Sequence, residues 1–130
     1  MNEHPNVAVV NRMTKAVMDG DRDTLESCFT ADMVFHVRGA IPRAGDHVGV
    51  EGFLFVIGNI MELTQGDVKL DQLFAVGTDG WAVEWEHAVL GRKGRTLEFD
   101  DAFIYRFEGD RIAEMWMLSA APSGSEAFFV

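Results

Sequence analysis

The sequence predicts an α+β domain, on three observations. Apolar residues recur at helical spacing through most of the first half of the chain. Four β-type runs fill the second half. Only Gly77-Thr78-Asp79-Gly80, Gly91-Arg92-Lys93-Gly94 and Glu108-Gly109-Asp110 separate those runs, all short enough for hairpins, so the strands form an antiparallel meander.

Each element has its own signal. Val7, Val10 and Met13, with Ala16 and Val17, place one apolar stripe on a first helix over residues 6–18. Asp19-Gly20-Asp21 stops it, and Asp21 or Asp23 caps a short second helix with Leu25, Cys28 and Phe29 on its stripe. Residues 33–37 read as a strand that ends at Gly39. Gly39, Pro42, Gly45 and Gly49 make residues 39–49 a loop. A third helix over residues 50–63 carries Phe53, Val56, Ile57, Ile60 and Met61 on one stripe, the first four of them its expected buried face. Strands follow over residues 68–76, 81–90, 96–107 and 111–119. The tail, residues 120–130, ends in Phe128-Phe129 and should fold back against the body.

Length and charge narrow the function. A chain of 130 residues is one domain, 1–130, without linkers or repeats. At 48% hydrophobic and 25% charged it is not a disordered chain, a collagen-like repeat or a disulfide scaffold. With 11 basic against 21 acidic residues the formal net charge is −10, which repels phosphate backbones and anionic lipid. Nucleic acid and membranes are therefore not expected partners. Cys28 is the lone cysteine, read as a small buried hydrophobe in a reducing compartment. There is no run of 18 apolar residues, and Met1-Asn2-Glu3-His4-Pro5 lacks the basic-then-apolar pattern of a secretion signal. A cytoplasmic protein is expected.

Among catalytic motifs, GxGxxG, GxxxxGK[ST], HExxH and GxSxG do not occur. His4, His36, His47 and His87 lack the close pairing of a metal-ligand set, so neither metal nor cofactor is expected. The informative signal is polar residues that interrupt apolar strand faces. Alternation puts Trp81, Val83, Trp85, His87 and Val89 on one face, opposite Ala82, Glu84, Glu86 and Ala88. It likewise groups Leu97, Phe99, Asp101, Phe103, Tyr105 and Phe107. The aromatic sets are read as the inner faces, each with one ionisable residue: His87 and Asp101. An unpaired carboxylate among aromatics costs roughly several kcal/mol unless it is bonded or protonated. Two readings stay open. Either His87 and Asp101 bond one another, or Asp101 meets water at the sheet's mouth, and the role is structural; or they are a tuned acid and base lining a pocket.

The hairpin register decides whether they meet. A two-residue loop at Arg92-Lys93 would set His87 opposite Glu98 and mix apolar with acidic faces. A three-residue loop with Gly94 left-handed sets Trp85 opposite Asp101 and His87 opposite Phe99, leaving His87 and Asp101 diagonal; this is the expected register.

The element order, with residues 31–39 (ADMVFHVRG), 44–49 (AGDHVG) and 105–116 (YRFEGDRIAEMW), resembles the SnoaL-like branch of the nuclear transport factor 2-like and ketosteroid isomerase superfamily. The resemblance covers nearly the whole chain. It implies a conical, cystatin-like fold in which a curved, mixed, mostly antiparallel sheet wraps the long third helix, with a deep apolar pocket at the wide end. It implies a small-molecule enzyme of cyclase, isomerase or hydrolase type acting on a lipophilic, carbonyl-bearing or polyketide-like substrate. The alternative is a non-catalytic ligand-binding or dimerisation module. Matching Gly39 to the glycine after the isomerases' catalytic base puts His36 on that base; the other reading of His36 is a backbone-bonded histidine beside the loop. The same matching puts the isomerases' oxyanion donors at Met13 and Phe103, which donate no hydrogen bond, so steroid isomerisation by that mechanism is excluded. The acids that cyclases and epoxide hydrolases of this fold carry just past the last-strand tryptophan are missing: Trp116 is followed by Met117-Leu118-Ser119-Ala120. Met115 and Met117 share a face that is either core or a soft ligand surface. The expected site is thus His36, Asp101 and His87 as catalytic residues in a pocket lined by Met13, Phe53, Trp85, Phe99, Phe103, Met115 and Met117. The resemblance also implies a homodimer through the outer sheet face, where Ala82, Ala88, Ala102 and Ile104 are expected among Glu84, Glu86, Glu98 and Arg106, making the interface polar and salt-sensitive.

Overall fold

Three helices and a six-stranded mixed sheet make up the computed structural model, which describes residues 3–130. Met1 and Asn2, where the secretion-signal reading begins, lie outside the described residues. Helix α1 (Pro5–Asp19) starts with proline at its first turn, and the His4 side chain accepts from the Asn6 N–H. Helix α2 (Arg22–Ser27) is capped by Asp21, which accepts from the Thr24 N–H. Phe29, expected on that helix, instead opens β1 (Phe29–Arg38), because α2 ends at Ser27 and the chain pairs at once with the last strand.

The segment read as a loop contains a strand. Residues of β2 (Gly45–Val48) pair antiparallel with Val34 to Val37 of β1, as an edge strand too short for a composition signal. Helix α3 (Gly49–Leu63) follows, then β3 (Val68–Thr78), β4 (Trp81–Arg92), β5 (Arg95–Glu108) and β6 (Arg111–Ser119). The sheet order is β2-β1-β6-β5-β4-β3, with β1 and β6 parallel and the other pairs antiparallel. Gly39 ends β1 against β6; a Cβ there would come within 2.8 Å of Ser119, so only glycine allows this approach. The tail forms a short 3₁₀ turn (Ser125–Phe129) that buries Phe128 and Phe129, and Arg92 and Arg95 donate to its carbonyl oxygens. Among the described residues no helix is long and apolar enough to cross a membrane.

The core lies between the helices and the concave sheet face. Phe53 of α3 packs on Phe29 and Phe35 of β1 at ring-centroid distances of 5.1 and 5.3 Å. Val56 and Ile60 are buried with it, while Ile57, expected there too, is only half-buried.

Two expectations for the β4–β5 hairpin are overturned. Its loop is Lys93-Gly94, both with positive φ (52° and 74°), a two-residue turn of the kind whose twist matches paired strands. Arg92 therefore faces Arg95, His87 faces Asp100 and Glu86 faces Asp101. Neither the bulged register nor a loop at Arg92-Lys93 occurs. Directly opposed residues share a face, so this pairing turns Ala82, Glu84, Glu86, Ala88 and Leu90 inward with Phe99, Asp101, Phe103 and Tyr105. Glu84 and Glu86 are 2% and 6% exposed, whereas Trp81 and Trp85 are 44% and 38% exposed on the outer face.

Candidate functional site

Between α1, α3 and the concave face of the sheet lies a cavity of about 80 Å³. Its wall is almost wholly apolar. Met13, Phe53, Phe99, Phe103, Met115 and Met117 line it, while the seventh expected lining residue, Trp85, does not. The exposed Met18 and Leu70 belong to the wall and mark its open end. A second space of about 270 Å³ lies between the three helices, where Asp21 and Arg22 are the ionisable neighbours and neither is buried.

Into the first cavity the sheet projects Glu84, Glu86, Asp101 and Tyr105, and no lysine, arginine or histidine lines it. Glu84 is fully satisfied: the Tyr105 hydroxyl donates to Oε1 at 2.8 Å and the Gln72 amide donates to Oε2 at 2.7 Å. Gln72 reaches it because β3 bulges between Gln72 and Phe74, and its amide also donates to Asn11 of α1. Burial and the neighbouring Glu84 raise the Tyr105 phenol well above its ordinary value, so it stays a donor.

Glu86 and Asp101 are different. They stand directly opposite on β4 and β5, which puts their Cβ atoms about 4.5–5.5 Å apart. Asp101 is 3% exposed, and its Oδ1 has no hydrogen-bond partner among the described residues. Burial, with the charges of Glu84 and Asp101 added, pushes the Glu86 carboxyl up to about 8. Burial pushes Asp101 up to about 7, against a hydrogen bond from Ser119 and with the Asp100 charge adding to the rise. Both acids therefore titrate near neutral pH, in an apolar space open at one end.

The two histidines expected in the site are not in it. His36 lies on the outer face of β1, where its Nδ1 is hydrogen-bonded to Asp46 (2.9 Å) and its Nε2 to Glu114 (2.7 Å), and its ring stacks on Trp116 at 5.2 Å. Burial pulls this imidazole down, but the bonds to Asp46 and Glu114 outweigh it and raise its pKa. Both of its ring nitrogens are engaged by carboxylates, so His36 has none free to face a substrate. His87 is also outside, bonded to Asp100 (2.6 Å) and Glu98 (3.2 Å), which raise it in that order. The coupling of His87 to Asp101 is thus replaced by a surface pair, since the register puts His87 on the face opposite Asp101. Trp85 donates to the same Asp100 at 3.0 Å, outside as well. Of the expected catalytic residues, only Asp101 faces the cavity.

Glu84 and Glu86 were missed because a Glu/Ala face looks like a solvated one. One signal could have found them. With the turn at Lys93-Gly94, the aromatic face of β5 pairs with the alanines and glutamates of β4.

Residues 10–115 match the family model described as a SnoaL-like domain. Among solved structures, Bal32a from a soil-derived mobile gene cassette matches with a TM-score of 0.86 at 23% identity over 97% of each chain. A protein of unknown function with a cystatin-like fold from Xanthomonas campestris matches at 0.80 and 23%, over 99% of this chain and 98% of that one. IdmH, a proposed polyketide cyclase from Streptomyces antibioticus, matches at 0.75 and 21%, over 90% of this chain and 93% of its own. At these identities the likeness shows the fold. No curated protein is similar enough in sequence to count as a relative.

Proposed function

The chain belongs to the SnoaL-like domain family, and on that premise we propose that it is a cofactor-independent enzyme that moves protons on a lipophilic, carbonyl-bearing, polyketide-like substrate. The observation that carries this is the Glu86–Asp101 pair inside the apolar cavity. Like-charged carboxylates this close resist double ionisation, so near neutral pH the pair holds one proton between them. One member is then an acid and its neighbour a base, the division of labour that proton transfer requires. The carboxylate takes a proton from the carbon beside the substrate carbonyl as the carboxylic acid gives its proton to the carbonyl oxygen. The product is a neutral enol, and return of the protons at a different atom, or attack by the enol carbon on a second carbonyl, gives isomerisation or ring closure. Glu84 and Tyr105 hold a fixed charge beside the pair that keeps its proton from leaving.

The test is exchange of the α-hydrogens of 4-phenylbutan-2-one in D₂O, followed by proton NMR. The expected result is loss of the α-proton signals faster than in buffer alone. Binding of the ketone without exchange would select the second reading, a non-catalytic ligand-binding module, which the missing acid after Trp116 favours.

We also propose a homodimer through the outer sheet face. Trp81, Val83, Trp85, Phe74, Val76 and Leu118 are exposed there, with Trp81 stacked on Trp116 at 6.0 Å and Phe74 on Trp85 at 6.3 Å. Contiguous apolar surface of this kind marks interaction sites. Ala82, Glu84, Glu86 and Ala88 face inward, so the contact rests on those exposed aromatic and aliphatic side chains, with Glu98, Asp100, His87 and Arg106 on the same face as its polar part. Light scattering at micromolar concentration should give twice the 14.5 kDa chain mass, and Trp81→Glu with Trp85→Glu should return it to the monomer; a monomeric wild type would contradict the dimer.

A further inference from the structure

The cavity that holds the acid pair is small for a lipophilic substrate. At about 80 Å³ it has room for about three waters, whereas sites that bury a small molecule span roughly 300–1,000 Å³. Its helix wall adjoins the second space, of about 270 Å³. Val17 of α1 and Ile57 and Met61 of α3 line both. All three are half-buried, and methionine re-packs readily, so the seam between the two spaces is not part of the fixed core.

Gly58 supplies a second observation. Leu54, Ile57, Gly58 and Met61 recur at one-turn spacing on one face of α3, and all four line the second space. A glycine inside a helix weakens it relative to alanine. Gly58 has neither usual reason to be there: its φ is not positive, and a Cβ built on it meets only Leu54, at ordinary contact distances of 3.8 and 3.9 Å. At Gly52 of the same helix, by contrast, a Cβ would come within 2.8 Å of His47. What the missing side chain at Gly58 does is leave the second space open.

We propose that the two spaces form one site for an elongated substrate, whose carbonyl lies at Glu86 and Asp101 and whose unbranched apolar tail crosses the Val17–Ile57–Met61 seam to lie beside Gly58. The inference rests on the proton-transfer reading of the first cavity and adds the substrate's shape. The acids stand on the sheet wall and the seam on the helix wall, so a chain held by its carbonyl leaves towards the seam. The far space suits an apolar occupant. Of its two ionisable residues, Asp21 accepts from the Thr24 N–H and hydroxyl, and Arg22 is paired with Glu51 and Glu26. Ala16, Leu25 and Leu54 supply apolar wall around them.

The experiment is isothermal titration at pH 7.5 with heptan-2-one, nonan-2-one and undecan-2-one, with α-proton exchange of each in D₂O followed in parallel. Each methylene that leaves water for an apolar wall tightens binding about fourfold, so undecan-2-one should bind on the order of a hundredfold more tightly than heptan-2-one. Chain length raises affinity for any apolar surface, so the deciding quantity is this long-to-short ratio in variants that fill the second space. Gly58→Leu, which takes the room of about two methylenes or more, should lower the ratio at least about tenfold, and Gly58→Ala at least about twofold. The alanine variant meets no clash and gains helix propensity, so it decides alone should the leucine variant not fold. A ratio that ignores the side chain at position 58 sends the tail to the open end by Met18 and Leu70 and overturns the inference, while ketone exchange would still uphold proton transfer. A ratio that follows position 58 without any exchange upholds the two-space site and overturns proton transfer. If none of the three ketones binds, both fall.

Discussion

Glu86→Gln and Asp101→Asn should each lose roughly 10²- to 10⁴-fold in α-proton exchange, the usual worth of a positioned acid or base, while the folded protein becomes more stable above neutral pH. The two effects have one cause. Each acid has a folded-state pKa above its unfolded value, about 8 against 4.5 for Glu86 and about 7 against 3.8 for Asp101. A raised carboxyl binds its proton more tightly when folded. Its stability contribution is complete below the unfolded pKa and is lost as pH rises towards the folded one. Wild-type stability at these sites should therefore fall from about pH 4 to about pH 8, and each amide, which never ionises, should flatten that fall. The gain over wild type should reach on the order of a few kcal/mol near pH 8 and vanish near pH 4. Urea titrations across this range check it. A variant that loses activity and also loses stability at pH 8 would show that the acids hold the fold rather than perform the chemistry.

Phe53→Ala should cost about 3–5 kcal/mol of folding free energy. Its ring is 2% exposed and joins α3 to β1 through Phe29 and Phe35, so truncation opens a void where helix meets sheet. Ile57→Ala, on the same helix, should cost less than the roughly 2–5 kcal/mol of a fully buried isoleucine, because one side of Ile57 already faces the cavity. Denaturant midpoints for the two variants give the comparison. A larger loss at Ile57 than at Phe53 would mean that the cavity wall, not the α3–β1 contact, anchors the helix.

The fold was legible because its signals are local. The stripes of α1 and α3, the Asp21 cap and the three hairpin turns each follow from a few neighbouring residues. Edge strand β2 was not legible, since its four residues carry no alternation and depend on pairing with β1. In the site, Asp101 could be read from β5 alone, where its aromatic neighbours make it stand out. Its partner could not. Which face of β4 turns inward depends on one residue of hairpin register, and both faces offered a plausible inside. The two-residue turn at Lys93-Gly94 sets the register that pairs the aromatic face of β5 with the alanines and acids of β4 and leaves the β4 aromatics outside. His36 failed as a base for a similar reason: alternation from the buried Phe35 and Val37 sends it outward, to Asp46 and Glu114.

The proposed chemistry requires that Glu86 and Asp101 hold a proton at neutral pH inside the cavity. Carbon-13 NMR of the side-chain carboxyl resonances, followed through a pH titration of the wild-type protein, tests it most directly. The pair should titrate in two steps near pH 7 and pH 8, coupled so that Asp101→Asn lowers the step left to Glu86. Titration of both carboxyls near the ordinary carboxylate value of about 4 would contradict it.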